Sequence, residues 1–582
     1  MFIIIYFYLA LFVSELLSLF NYFTPLALRI FNIIIIICIT LIFRKKIYEF
    51  KHYISSFSIQ RVNFYQIVLL FFAIVSLFNG IMIAPNNWDS MTYHFSRFLH
   101  WFSNQDLNYF YTSNSRENII PTLPDLLFAQ MFAIFSGDKA LFIIIWLAVL
   151  ITSYYVYRIT FLLSGSKRAS YIASVVSMTL PSHVAFMSST QTDPITTLLV
   201  VILLYYALLL NSHKSNSIFY LIIMTVPLFI TSKTTGVILS IPIFIYVLFI
   251  YQKFIIKNYF KYILFLIVVT VPAFPFLYRL FGSGSLSHVY GLFVREASFS
   301  GALTNGIGIF LSGLQTPIPF ANEALVKFYT LISNSLETYG PWTYNLTSSL
   351  HGDLTGNPLQ ILLIIVSFLG LLRTKKYQVI IILILIQFLL FANLIAWQPW
   401  INRFSTTIVA LGSILVGIWV AGKSKIVENT LITILIFYSS FWLFFNPSRV
   451  IVDPIRILEV GKVVGMTERN LNKVRNDIEY SRERQYFSLN PEIEDSYINS
   501  LEKVNESGTK RLYVKLGSDD FEYPIWALTN FKIDIQHFKE QNLQEIYSGQ
   551  ALLFCTKDCS YYILEQIYKD KNLTLFKNLD PS

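Results

Sequence analysis

The sequence predicts an all-α polytopic membrane protein of about thirteen transmembrane helices, followed by a small C-terminal α/β domain on the outer face. Three observations carry that expectation. The 582 residues are 55% hydrophobic and only 13% charged, whereas charged side chains supply about a quarter of an ordinary soluble domain. The apolar residues come in long runs, and a bilayer core demands roughly 20 residues per helix. The basic residues fall between those runs on every second connection, as the positive-inside rule requires of cytoplasmic loops.

The runs lie at about 2–20, 25–43, 65–84, 140–163, 170–187, 195–211, 217–232, 235–252, 260–280, 358–372, 377–396, 404–421 and 427–445. Phe2 to Phe20 has no basic segment before it and no small-residue cleavage site after it, so it reads as a retained first span rather than a signal peptide. The loops with Arg44, Lys45, Lys46 and Lys51, with Lys167 and Arg168, with Lys214, with Lys253, Lys257 and Lys261, with Arg373, Lys375 and Lys376, and with Lys423 and Lys425 alternate. They place the N-terminus in the cytoplasm, and the odd number of spans sends the C-terminal region out of a multi-pass cell membrane. The net charge of +10 belongs to this pattern, which argues against nucleic-acid binding. Cys38, Cys555 and Cys559 make no disulfide framework and no complete metal set. Cys555 and Cys559 alone could close a small disulfide loop on the outer side.

Two external loops are long. Residues 85–139 carry Asn87-Trp88-Asp89-Ser90, Tyr93-His94, Arg97 and His100-Trp101, then Arg116, then an apolar helix from Asp125 to Phe135. Residues 281–357 are rich in Gly, Ser and Asn and end in His351-Gly352-Asp353-Leu354-Thr355-Gly356-Asn357-Pro358. A short turn near Lys233 lies on the same side. The organisation is thus a membrane domain over 1–446 and a soluble domain over 447–582. In the latter, 453–505 reads as charged helix, while 510–516 and 550–555 read as strands.

On a helix beginning near Asn87, Trp88, Met91, Phe95, Phe98, Leu99 and Phe102 form an apolar stripe. Asp89, Tyr93, Arg97 and His100 form the adjoining polar row, so the helix is expected to lie along the membrane interface with that row facing an outer cavity. Asp89 could instead cap its own helix, an ordinary role for Asp. Asp193, in Thr190-Gln191-Thr192-Asp193-Pro194, and Asp353 are two further acids at the outer boundary, each with the same bland alternative of cap or turn. Three carboxylates beside lipid are costly unless partnered. Converging, Asp89, Asp193 and Asp353 could hold a divalent cation such as Mg2+ or Mn2+, or one could act as a base oriented by the others. A phosphate calls for arginine, which stays charged and bonds two oxygens at once. Arg116 is the first candidate because it shares the loop of Asp89. Arg97, His94, Tyr93 and Arg403 complete the set, although interfacial histidines more often bond locally. Arg279 and Arg295 read as an interfacial helix-end residue and a solvated one.

These motifs, in this order, resemble the GT-C superfamily of integral-membrane glycosyltransferases, most closely its bacterial family 39-like, dolichyl-phosphate-mannose mannosyltransferase-like branch. The resemblance rests on Trp88-Asp89-Ser90 with Tyr93-His94, Arg97 and His100-Trp101, on Thr190-Gln191-Thr192-Asp193, on Gly352-Asp353 with Gly356-Asn357-Pro358, on Trp397-Gln398-Pro399-Trp400 with Asn402-Arg403, and on Glu522-Tyr523-Pro524 with Trp526-Ala527-Leu528. It implies a GT-C-like fold and an enzyme that moves a sugar from a polyprenyl-phosphate carrier to a hydroxyl or amine of a glycan, lipid or protein, with inversion. It implies Asp89 as catalytic base, Asp193 and Asp353 as partner acids, and Arg116 or Arg403 as phosphate ligands. Partial desolvation of Asp89 is expected to raise its basicity. The family's first motif often pairs two adjacent acids, whereas Asp89 is followed here by Ser90, which puts metal dependence in doubt.

Two other classes share the many spans. A surface-polysaccharide polymerase or ligase usually sets its key basic residues in late loops, and the acidic first loop argues against it. A transporter would place ionisable residues or broken helices at mid-membrane, whereas the notable charges here sit at the rim.

Overall fold

The computed structural model describes residues 1–55, 63–282, 299–333, 342–449, 477–561 and 564–578. Among these residues ten helices are long and apolar enough to cross a membrane: Phe2–Leu19, Phe64–Met82, Phe142–Ser164, Asp193–His213, Thr234–Lys257, Tyr259–Phe281, Gly352–Leu371, Lys375–Leu394, Ile401–Ala421 and Lys425–Phe444. All ten match expected runs, because a bilayer-length apolar segment has no alternative to a helix that satisfies its own backbone.

The other three expected spans differ in detail. The second is the apolar start, Pro25–Cys38, of a helix that continues to Ser55. The seventh is Asn216–Ser232, 17 residues long with Pro227 inside it. The fifth is not one helix but two, Lys167–Met178 and Pro181–Met187. Pro181 cannot continue the first helix because it has no N–H to donate and its ring crowds the preceding turn. The Thr179 carbonyl freed by the break is not left bare in the apolar interior. It accepts hydrogen bonds from Gln360 Nε2, at 2.6 Å, and from Ser439 Oγ.

Asp193–His213 and Ile401–Ala421 are the most enclosed helices of the bundle, with 83% of the spanning window of each buried. Their first residues therefore meet deep in the protein rather than at the lipid boundary. At the far end of the bundle, Glu428 is paired with Arg168 and Lys425 and bonded by Tyr65. Two of the basic segments, those of Arg168 and Lys425, thus meet at the end of Ile401–Ala421 opposite Arg403.

The C-terminal part contains a five-stranded sheet of order β2-β1-β3-β5-β4. Its strands are β1 (Arg511–Lys515), β2 (Asp534–His537), β3 (Ala551–Cys555), β4 (Leu564–Lys569) and β5 (Thr574–Asn578). β1 runs parallel to β2 and β3, while β5 runs antiparallel to β3 and β4. Both strands read from the sequence are present, and Cys555 is joined to Cys559 by a disulfide. The charged stretch expected as helix over 453–505 is interrupted in its described portion. A short turn at Asp477–Glu479 precedes the helix Arg482–Gln485, and a second at Pro491–Ile493 separates it from the helix Glu494–Ser507. Its first part and Arg295 lie outside the described residues.

This part packs on the long loop of residues 85–139. Arg482 Nη2 and the hydroxyls of Tyr486 and Tyr523 converge on Asp138 at 2.6, 2.8 and 2.9 Å. Trp88 meets Phe521 edge-on at 4.9 Å, and Phe95 meets Tyr523 in the same way at 4.9 Å.

The segment after Asn87 consequently departs from the expected interfacial helix. It is a π turn, Ser90–His94, in which the Phe95 N–H reaches back to the Ser90 carbonyl, followed by an α-helix over Phe95–Asn104. Every residue from Ser90 to Trp101 is buried. The C-terminal domain covers the face that would otherwise meet water, so the polar row has no outer cavity to face along its whole length. Its ionisable members Asp89, Arg97 and His100 are instead divided among three separate ion-pair systems.

Candidate active site

Asp89, Asp193 and Asp353 come from segments more than a hundred residues apart, and the fold brings them to one place around Arg403. The Arg403 guanidinium donates from Nη2 to Asp89 Oδ2 at 2.7 Å and from Nε to Asp193 Oδ2 at 3.2 Å, while Nη1 lies 3.4 Å from Asp353 Oδ1. Lys233 Nζ donates to the other oxygen of Asp193 at 2.5 Å. Five charged groups from five segments thus share one end of the bundle.

Local sequence explains how each is presented. Asp193 is the first residue of its helix with Pro194 behind it, Thr192 holds the N-cap position, and the Asp193 carboxylate reaches Lys233 and Arg403. Asp89 likewise makes no side-chain cap. Asp353 sits in a short 3-10 turn capped by His351, whose Nδ1 accepts the Asp353 N–H. The following Gly356 is required by close packing, since a Cβ there would lie 2.3 Å from the Gln315 carbonyl oxygen. Arg403 lies in the first turn of Ile401–Ala421.

Neutral groups tie the motifs together. Gln191 donates from Nε2 to Asp353 Oδ1 at 2.9 Å and accepts from Asn87 Nδ2 at 3.2 Å. The Thr190 hydroxyl donates to Asn87 Oδ1 and lies 2.8 Å from Ser90 Oγ. The residues flanking Asp89 are therefore locked to those preceding Asp193. The group is not fully enclosed: side-chain exposure is 17% at Asp89, 20% at Asp353 and 22% at Lys233.

Burial pushes the Asp89 carboxyl up, but the Arg403 guanidinium, with His94 and Lys233 behind it, outweighs that and holds it well below the usual carboxylate range. This corrects the expectation that desolvation would make Asp89 more basic: the same fold that buries the carboxylate seats a guanidinium against it. The central position that three converging carboxylates would offer a divalent cation is spanned by the same guanidinium. All three carboxylates are engaged by Arg403 rather than arranged around a free central position.

The remaining sequence candidates lie apart from this centre. His94 Nδ1 is 2.5 Å from Asp125 Oδ1, and Arg97 Nη1 donates to Asp125 Oδ2 at 3.0 Å and to the Ile120 carbonyl at 2.7 Å. Both are buried, and their partner opens the apolar helix of the first loop. Arg116 bonds Asn114, the Ser518 carbonyl and, at 2.6 Å, Asp519 Oδ1 of the C-terminal domain. Its guanidinium covers the Tyr93 ring at 4.9 Å. Arg279 is not a free helix-end residue but pairs with both oxygens of Glu15 at 2.7 and 3.2 Å. The cation that sequence reasoning missed is Lys233. Its signal was available as a lone lysine in a short turn on the side that the charge pattern otherwise leaves without basic clusters.

A second buried group lies where the first loop meets the C-terminal domain. His100, Glu117, Glu522 and His537 each place one donor atom within 4.8 Å of the others. Burial pushes the Glu522 carboxyl up, but the adjacent His537 and His100 rings hold it well below its ordinary value. Burial lowers His537, and Glu522 and Glu117 more than reverse that, pushing it up to about 10.

Residues 121–278, which include Asp193 and Lys233, match the family model described as dolichyl-phosphate-mannose-protein mannosyltransferase. No curated protein matches the sequence. Among solved structures, the chain is similar to ArnT from Cupriavidus metallidurans in the apo state, with a TM-score of 0.52 at 10% identity over 88% of this chain and 97% of that one. The same ArnT bound to undecaprenyl phosphate gives a TM-score of 0.52 at 10% identity over 88% and 98%. The Archaeoglobus fulgidus oligosaccharyltransferase complex with zinc and sulfate gives 0.39 at 12% identity over 84% and 68%, too low to argue from. The chain is a multi-pass membrane protein with an ArnT-like fold, and over residues 121–278 the resemblance seen in its motifs is met by the match to a mannosyltransferase family model.

Proposed function

We propose that this chain is an inverting membrane glycosyltransferase that takes a sugar from a polyprenyl-phosphate carrier and gives it to a hydroxyl or amine of a glycan, lipid or protein acceptor. The observation that carries the reading is the convergence of Asp89, Asp193 and Asp353 on Arg403 and Lys233 at one partly open end of the bundle. The family match and the ArnT-like fold support the reaction class, and the undecaprenyl phosphate bound to ArnT supports the donor class. The positive-inside pattern supports an extracytoplasmic site in a cell membrane with a cytoplasmic N-terminus. Residues 1–446 would form the catalytic membrane domain and 447–582 an outer α/β domain.

The acceptor oxygen or nitrogen attacks the anomeric carbon as the bond from that carbon to the phosphate oxygen breaks. The acceptor proton passes to Asp89, and polyprenyl phosphate departs with the bonding electrons. Lys233 has donors to spare beyond Asp193 and is the best-placed cation for the phosphate. Arg403 is shared among three carboxylates, so an incoming phosphate competes for it. Drawing the guanidinium toward the phosphate relieves Asp89 of the charge that depresses its basicity, so donor binding itself prepares the base. Asp193 and Asp353 hold the two cations in position meanwhile. Arg116 would reach the donor only by leaving Asp519.

The test is a transfer assay in membranes containing the protein, with a panel of polyprenyl-phosphate sugars and with wild type and Asp89→Asn compared. Transfer by wild type alone is expected. Equal transfer by the variant would remove Asp89 from the mechanism, and no transfer of any lipid-linked sugar would remove the donor class.

A further inference from the structure

The transfer chemistry makes no use of the buried cluster between the first loop and the C-terminal domain. Its members come from four elements. His100 lies in the helix Phe95–Asn104, Glu117 in the short helix Arg116–Ile119, Glu522 just before the helix Tyr523–Leu528, and His537 at the end of β2. His100 Nε2 is 2.6 Å from Glu522 Oε1, and His537 Nε2 is 3.1 Å from Glu522 Oε2 and 3.5 Å from Glu117 Oε2. All four residues are buried.

Two independent features point to a ligand. The donor set of two imidazole nitrogens and two carboxylates is the chemistry that zinc-class ions take in tetrahedral sites. In addition, His537 Nε2 is fully enclosed between the two carboxylates, 3.1 Å from Glu522 and 3.5 Å from Glu117, without the alignment of a hydrogen bond to either. Neighbours also orient the donors as outer-shell groups do around a metal. The Ser96 and Thr112 hydroxyls each donate to Glu117 at 2.5 Å, and Trp526 Nε1 donates to Glu522 Oε1 at 3.5 Å.

We propose that His100, Glu117, Glu522 and His537 form a closed, structural site for a zinc-class divalent cation that ties the C-terminal domain to the first outer loop. Metal–ligand bonds of about 2.1 Å place tetrahedral donors roughly 3.4 Å apart, so small side-chain shifts suffice to close the cluster. Two carboxylates and two neutral imidazoles carry a charge of −2, which one divalent ion cancels. With all four positions filled by protein, the ion would act as a tie and not as a Lewis acid. Its effect would reach the acids through packing, because Phe521, next to Glu522, lies against Trp88, next to Asp89.

The experiment uses the full-length protein in detergent, stripped with a chelator, equilibrated with Zn2+, desalted and analysed for metal. One equivalent of zinc is expected in wild type and in Asp89→Asn, which keeps this test separate from that of the transferase reading. Loss of the zinc is expected in the His100→Ala/His537→Ala double variant and a weakened hold in Glu522→Gln. A wild type that retains no zinc, or a folded double variant that retains the same amount, overturns the proposal. Should the double variant fail to fold, Co2+ in the wild-type protein decides. The intense visible absorption of a tetrahedral ion supports the site, and a weak octahedral spectrum or none overturns it.

Discussion

Two ion-pair systems start within one short segment and come to opposite ends. Asp89 joins Asp193, Asp353, Arg403 and Lys233 where three of the side chains keep 17 to 22% exposure. One turn later His94 and Arg97 close on Asp125, where exposure is 2% or less. Both systems combine carboxylates with arginine, and residue type alone does not tell them apart. They differ in access and in stoichiometry. The second has one acid for one arginine and one histidine, sealed beneath the C-terminal domain. The first has three acids for two cations, open on one side. An excess of acid with a path to it is what a proton acceptor needs, and a matched, sealed pair is what a loop anchor needs.

The largest expected effect that separates the two is loss of chemistry without loss of fold. Asp89→Asn should lower transfer by about 10²–10⁴-fold, the range for removing a positioned base, while the protein elutes from a sizing column as wild type does. Asp125→Ala should do the reverse, costing about 3–5 kcal/mol because it leaves Arg97 buried and uncompensated; thermal melting in detergent reads this out. Equal melting of Asp125→Ala and wild type would erase the distinction. Lys233→Met is a finer probe. It should raise the donor KM by roughly ten-fold, the worth of one charge-assisted hydrogen bond, with little change in kcat in a donor titration. The smallest effect is on pH. The Asp89 carboxyl lies below its ordinary value in the folded state, so its pairing stabilises at every pH above the unfolded value of about 3.9 and is lost as pH falls through the depressed one. The melting advantage of wild type over Asp89→Asn should therefore be flat down to about pH 5 and shrink only below about pH 4.

What could be read from the sequence divides along the same line. Bilayer-length apolar runs dictate helices whatever surrounds them, so ten spans fell where expected, and the three acids stood out because carboxylates at a lipid boundary need partners. The partners themselves are set by long-range packing. Shared-loop reasoning favoured Arg116, which the fold ties to Asp519, over Arg403, which lies 314 residues from Asp89 in sequence. Lys233 was passed over because one lysine in a turn looks solvated until Asp193 is seen 2.5 Å away. The interfacial helix failed for a related reason: a stripe of large apolar residues reads the same whether lipid or another domain covers it.

The π turn at Ser90–His94 sets the angle between the two ion-pair systems. It holds one residue more per hydrogen-bonded ring than an α-turn does, and each α-helical residue advances the chain by about 100°. Deleting a single residue there would let the backbone relax to a regular helix and swing His94 and Arg97 through roughly that angle relative to Asp89. Such a chain could keep Asp89 beside Arg403 or His94 and Arg97 on Asp125, but not both. The opening motif therefore constrains length as tightly as it constrains composition.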